Sequence, residues 1–290
     1  MEDFTYKFPS GFKIAENLLE TSQKALDIPI GSTLRGILLS LQLKCHRLFA
    51  ASITLIRTGY AVEAQSHLRS ILETMISAKY LILDPVKHGD MFKNFEIIEK
   101  WKMAEDYEQA MKLYICSPSI IVADPLSEEF INAYKSYQEA CESLNKLKPQ
   151  YEKADSKRNE WIEELKQEGI KRPNKDSWSL RNNYEMALAT GMDFYYFMVF
   201  KTFSNLVHPS TLSANKYRSK TDGLLIDPSP LGIRRDLMGA CVLNIHMTHT
   251  IAEFYSNNIV LEQLEFIGKE IEVIRASNEF KEVDPIFGRS

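Results

Sequence analysis

Cysteine is scarce in this chain, and its spacing removes whole classes of structure. Cys45, Cys116, Cys141 and Cys241 stand far apart with no C-x-x-C pair. Neither a disulfide framework nor a zinc knuckle is therefore expected, and reduced thiols in a cytosolic protein are the simplest reading. Glycine and proline are also few, 12 and 11 in 290 residues, and they gather between periodic segments. An excess of positive charge is missing: the formal net charge is −4. No global field then draws in nucleic acid or anionic lipid, and such a contact has to come from a local patch. Lys, Asp or Ser interrupts every apolar run before about 18 residues, so no membrane-spanning helix is expected. The opening MEDFTYKFPSGFKIAENLLE lacks a basic stretch followed by an apolar one, so no secretory leader is expected. Absent too are G-x-x-x-x-G-K, G-x-G-x-x-G after a strand, and G-x-S-x-G, so the sequence offers no sign of a P-loop, Rossmann or hydrolase mechanism.

What is present is helical periodicity. Apolar positions recur at three and four almost everywhere, while strand-like alternation is scarce. Helices are predicted at about 12–26, 33–58, 60–83 and 86–115, with Ser32 as an N-cap, Gly59 as a stop and Asp84-Pro85 as a cap followed by a first-turn proline. Ser127 and two glutamates open a further helix, which Pro149 is expected to end or kink. A charged helix then runs from about 150 to 168, ending at Gly169, so 127–170 reads as a helical hairpin insertion. Helix resumes at about 179–207 with a hesitation at Gly191, and two more helices follow, one of about 27 residues from Pro230 and one at about 259–276. Short connections imply antiparallel neighbours. The expectation is one all-α domain over 1–290, an up-and-down bundle of about eight or nine helices with a protruding helical hairpin.

Three groups of residues are candidates for chemistry. The first is KTFSNLVHPS, 201–210, which closes an aromatic-rich helix. Helix spacing puts Lys201, Ser204 and His208 on one face, with Asn205 beside them. The residue before a proline is disfavoured from the α region, so the helix stops at His208. The negative end of a helix favours imidazolium there, suiting general acid–base work near neutral pH; the alternative is a plain helix stop. The second is Arg69 and Glu73 in HLRSILETMI, four apart on a largely apolar face that Ile76 and Tyr80 continue. Such a pair either locks helix packing or holds a polar group such as His208. The third is His246, His249 and Glu253, spaced for one helix face but without the context of a metal motif, so no metal or other cofactor is expected. A further segment, NKYRSK at 215–220, supplies Lys216 and Arg218, which with Arg234 and Arg235 form either a basic rim for phosphates or a solvated loop.

The combination of RSILETMISAKYLILDP at 69–85 with FYYFMVFKTFSNLVHPS at 194–210 resembles a group of bacterial helical proteins classed as a domain of unknown function. In that group an Arg-x-x-x-Glu helix pairs with a later Tyr-rich helix ending Ser-x-x-x-His-Pro. The resemblance covers roughly 40–235. More distantly the chain is similar to the HEPN superfamily, many of whose members are metal-independent ribonucleases of toxin or phage-defence systems, often dimeric. Their motif is an arginine, four to six residues, then a histidine. Here Lys201 stands where that arginine is expected, with six residues between it and His208, and lysine is a point charge rather than a planar fork. The resemblance implies His208, Arg69, Glu73 and Lys201 as catalytic residues, with Ser204, Asn205, Lys216 and Arg218 binding substrate. It also implies RNA or a nucleotide as ligand and a homodimer. The competing expectation is a non-enzymatic scaffold or regulator whose Arg-Glu-His network is structural and whose 127–170 hairpin is a docking surface for a partner protein.

Overall fold

The structure is a computed structural model that describes residues 3–29, 31–116, 128–201 and 232–277. After a short 3-10 turn at Thr5–Lys7, the described α-helices are α1 (Pro9–Lys24), α2 (Thr33–Arg57), α3 (Ala61–Leu83), α4 (Pro85–Ile115), α5 (Glu128–Gln167), α6 (Asn183–Ala189), α7 (Asp193–Tyr195), α8 (Ile233–Phe254) and α9 (Asn258–Ala276). A π-helical segment, Tyr196–Lys201, continues α7. The protein is an all-α, up-and-down bundle, with nine α-helices among the described residues.

The predicted punctuation does its work. The Ser32 hydroxyl accepts from the Arg35 N–H at 3.3 Å and opens α2. Gly59 adopts φ +84° where α2 ends, and Gly169 φ +93° after α5, a conformation that a side chain disfavours. Pro85 begins α4, as its missing N–H permits at a first helical position. Gly191, at φ +66°, separates α6 from α7. The first helix starts earlier than predicted because Pro9 takes that same first-turn role.

The described residues fall into two compact units, Met1–Pro85 with Asn183–Ser290, and Val86–Asn182. In the first, α2, α3 and α8 pack together, with α1 and α9 against one another and against α8. Leu38, Phe49, Leu72, Met75, Met247 and Ile251 are fully or almost fully buried there. A polar thread crosses this core: Gln42 Nε2 donates to Thr248 Oγ1 at 3.2 Å, and Thr248 Oγ1 to Asn244 Oδ1 at 3.4 Å. All four cysteines are free thiols. Burial pushes the Cys45 and Cys241 thiols up to about 12, so both behave as small apolar groups.

In the second unit the sequence expectation needs correction. The 127–170 segment is not two helices turning at Pro149; α5 is one helix from Glu128 to Gln167 with Pro149 inside it. A proline removes one backbone donor, and long helical runs on both sides carry the helix past it. The helical hairpin is formed instead by α4 and α5. Lys87 faces Glu164, Asp90 faces Lys157, Asn94 Nδ2 donates to the Ala154 carbonyl, and Trp101 stacks on Tyr151, so rising numbers on α4 meet falling numbers on α5. One buried cluster of this unit is Met91, Trp161, Ile162, Leu165 and Leu180, and Phe95 and Ile98 of α4 are buried as well. Arg158, 5% exposed, closes it by donating to the carbonyls of Lys175 and Ser177 and by covering the Phe95 ring at 4.7 Å. Leu180 takes a left-handed φ of +58°, which the burial of its side chain in that core sustains.

Candidate functional site

Helix α3 and the aromatic segment that begins at α6 are more than a hundred residues apart in sequence, and they pack together. One side of α3 faces the core through Leu68, Leu72, Met75 and Ile76. Arg69 and Glu73 lie at the margin of that apolar side, half-buried, as their four-residue spacing within an apolar stretch anticipates. Arg69 Nε donates to Glu73 Oε1 at 3.3 Å. The guanidinium carbon sits 4.4 Å from the centre of the Phe200 ring, well inside cation–π range. Among the described residues this is the one hydrogen bond made by the Arg69 side chain, so its two terminal amino groups keep their donors while its plane rests on an aromatic face. A guanidinium held this way is suited to grip a planar or phosphate oxyanion.

The surroundings are aromatic. Tyr196 stacks on Phe200 at 4.7 Å and 14°, and Tyr184 of α6 meets the rings of Tyr196 and Phe197 at 5.4 and 5.3 Å. Burial raises the Tyr196 phenol above its ordinary pKa; the Arg69 charge works against that shift and the Glu73 charge adds to it. That balance puts the phenol within the field of both α3 charges. The rings of Tyr196, Phe197 and Phe200 are carried on the π-helical segment Tyr196–Lys201. The wider turn of a π segment re-aims side chains relative to an α-helix, and such segments are frequent at functional sites. Sequence periodicity did not reveal it, because a run such as FYYFMVF is apolar at every spacing.

Of the residues singled out from sequence, Arg69 and Glu73 are brought together, and Arg69 also meets the segment that leads to Lys201. The Lys201 side chain, Ser204, Asn205, His208, Lys216 and Arg218 lie outside the described residues. Arg235 is not a solvated rim cation: its Nε donates to Asp236 Oδ1 at 2.7 Å and its Nη2 to Oδ2 at 3.1 Å. Asp236 is 1% exposed and also accepts from Gln65 Nε2 at 2.6 Å, so this pair ties α8 to α3. Arg234 covers the Phe8 ring at 5.4 Å.

The histidine triplet on α8 is divided among different tasks. His246 Nε2 shares a hydrogen bond of 2.7 Å with the Tyr195 hydroxyl, and His249 Nδ1 lies 3.6 Å from Glu253. Among the described residues no group of three His, Cys, Asp or Glu side chains is placed to hold a metal ion. Burial lowers the His246 pKa, and the nearby charges of Lys79 and His249 lower it further. Burial likewise raises the Tyr195 phenol. The Tyr195–His246 bond was missed from sequence because its partners are remote and no spacing links them. No described helix is long and apolar enough to cross a membrane.

A family model described as a family of unknown function, DUF5677, matches residues 35–224. That stretch runs from the first turn of α2 past the 194–210 motif and excludes α1, α8 and α9. No curated protein and no solved structure matches the chain.

Proposed function

The chain belongs to the DUF5677 family of unknown function, and from that premise we propose that it is an HEPN-like, metal-independent ribonuclease or RNA-binding effector of bacterial defence or stress, acting in the cytoplasm. The observation that supports this reading best is Arg69. It is half-buried, its terminal amino groups are uncommitted among the described residues, and it rests on Phe200, the residue before Lys201 in the segment that leads to His208.

In the proposed reaction His208 takes the proton of a ribose 2′-hydroxyl. The 2′-oxygen forms a bond to the adjacent phosphorus as the bond to the 5′-oxygen breaks, and that oxygen leaves with a proton taken from water. The products are a 2′,3′-cyclic phosphate and a 5′-hydroxyl. Arg69 and Lys201 neutralise the charge that builds on the phosphorane-like transition state. Glu73 orients Arg69. Ser204 and Asn205 position the phosphate, and Lys216 and Arg218 hold the flanking backbone.

Cleavage of a structured RNA by wild type and His208→Ala tests this. The variant is expected to lose roughly 10²–10⁴ in rate, the usual range for a general acid–base group. Equal cleavage by the two proteins removes His208 as a catalyst. One observation favours a second reading, a non-catalytic scaffold: both contacts of Arg69 among the described residues are internal, to Glu73 and Phe200. A scaffold predicts that Arg69→Lys and His208→Ala lower the melting temperature and leave a cellular effect of expression intact at permissive temperature. Loss of that effect at unchanged melting temperature counts against it.

A further inference from the structure

Helix α9 carries two apolar stripes, and the fold uses only one. Val260, Leu264, Ile267 and Ile271 are buried against the bundle. Ile259, Phe266 and Val273 form a second stripe at a strict spacing of seven, and they are 70%, 63% and 71% exposed. Three large apolar side chains on one helical line, all turned to water, are unlike singly scattered surface residues and mark an interaction face. A spacing of seven is also the repeat by which one helix follows another.

The stripe is nearly self-complementary. Reversing the helix about Phe266 sets Ile259 opposite Val273 and Phe266 opposite itself. The same reversal sets Lys269 opposite Gln263, one residue from Glu262. Lys269 faces Glu265 of its own helix at 2.8 Å and retains further donors, since an ammonium has three. Beside the stripe, α1 and α9 enclose an open groove of about 370 Å³ whose walls include Asn17, Glu20, Lys24, Gln263 and Phe266.

We propose that the exposed face of α9 docks on the same face of a second copy of this chain, antiparallel and about a two-fold axis through Phe266. Each Phe266 leans into the partner's α1–α9 groove. Each Lys269 reaches the partner's Glu262. An isologous contact of this kind needs a patch that matches itself when turned over, and the order Ile, Glu, Phe, Lys, Val meets that need. The face lies outside the family-matched stretch and apart from the Arg69 site, so it stands or falls independently of the ribonuclease reading.

The test is light scattering on the full chain over a concentration series, with circular dichroism to check folding. Wild type is expected to reach dimer mass, and Phe266→Glu to stay monomeric. Glu262→Lys and Lys269→Glu are each expected to weaken association about tenfold, as like charges are brought together, and the double reversal to restore it. If Phe266→Glu misfolds, Phe266→Cys in a Cys116→Ser background decides the matter, since thiols on the axis cross-link on mild oxidation. A control Val86→Cys in the same background should not. Wild type monomeric at every soluble concentration overturns the proposal. So does a dimer that survives Phe266→Glu, a charge reversal without restoration, or no cross-link at position 266.

Discussion

In the unit that holds α1–α3 and α6–α9, most charge stays at the margin of the core, the buried Asp236 held by Arg235 and Gln65 being the exception. In the α4–α5 unit, charged side chains are themselves the contacts between helices. Arg69, Glu73 and Arg235 border the first core, whereas Phe49, Leu72 and Met75 fill it. Between α4 and α5, Lys87–Glu164 and Lys157–Asp90 span the pair, with one buried cluster of five residues near one end and few other large apolar side chains buried. The difference follows from composition: α5 interleaves lysine, arginine and acids along its length and has few large apolar positions to bury. Exposed ion pairs contribute little each, about 0–1 kcal/mol. The second unit therefore depends on a few anchors, and the first on many.

The sharpest way to break that comparison is to empty each unit at one position. Phe49→Ala in the first unit removes a fully buried ring and should cost about 3–5 kcal/mol, read from chemical denaturation. A cost below about 1 kcal/mol means that this core is not the main store of stability. Next in size is Arg158→Ala, which frees two carbonyls and uncovers Phe95; a loss of about 1.5–3 kcal/mol is expected. Hydrogen exchange should show the loss confined to amides of Val86–Asn182. Faster exchange throughout α2, α3 and α8 contradicts two separately stabilised units.

A smaller effect sharpens the picture with pH. Burial, then the Arg47 charge, lowers the pKa of His46, which shares a 2.8 Å hydrogen bond with Ser22, and burial lowers that of His246. A histidine whose folded pKa lies below its unfolded value of 6.5 is protonated first in the unfolded chain. Stability is then full above pH 6.5 and falls as pH drops from there toward the folded value. The melting temperature of wild type should decline between about pH 6.5 and 5 more steeply than that of a His46→Gln, His246→Gln double variant. Parallel curves mean that neither ring is held neutral by the fold.

Much of the bundle was legible because its signals are local. Ser32, Gly59, Pro85 and Gly169 act through their own backbone geometry, and the helices fall where their apolar spacing put them. Pro149 misled because a proline is a local penalty that a long helix can absorb, which left α4, not a second half of α5, as the hairpin partner. The Arg69–Glu73 pair was legible because four residues of helix place them together. The seat of Arg69 on Phe200, the π-helical segment and the Tyr195–His246 bond were not, since each depends on which remote face meets which.

By itself, then, the sequence determined the helices, their caps and stops, and which face of each is apolar, because these follow from interactions within a few residues. Tertiary structure alone decided that α3 meets the aromatic segment, that Arg235 is spent on Asp236, and that one of two apolar stripes on α9 stays in water. Those outcomes are set by competition for burial among all the helices at once, and no single window of sequence contains that competition.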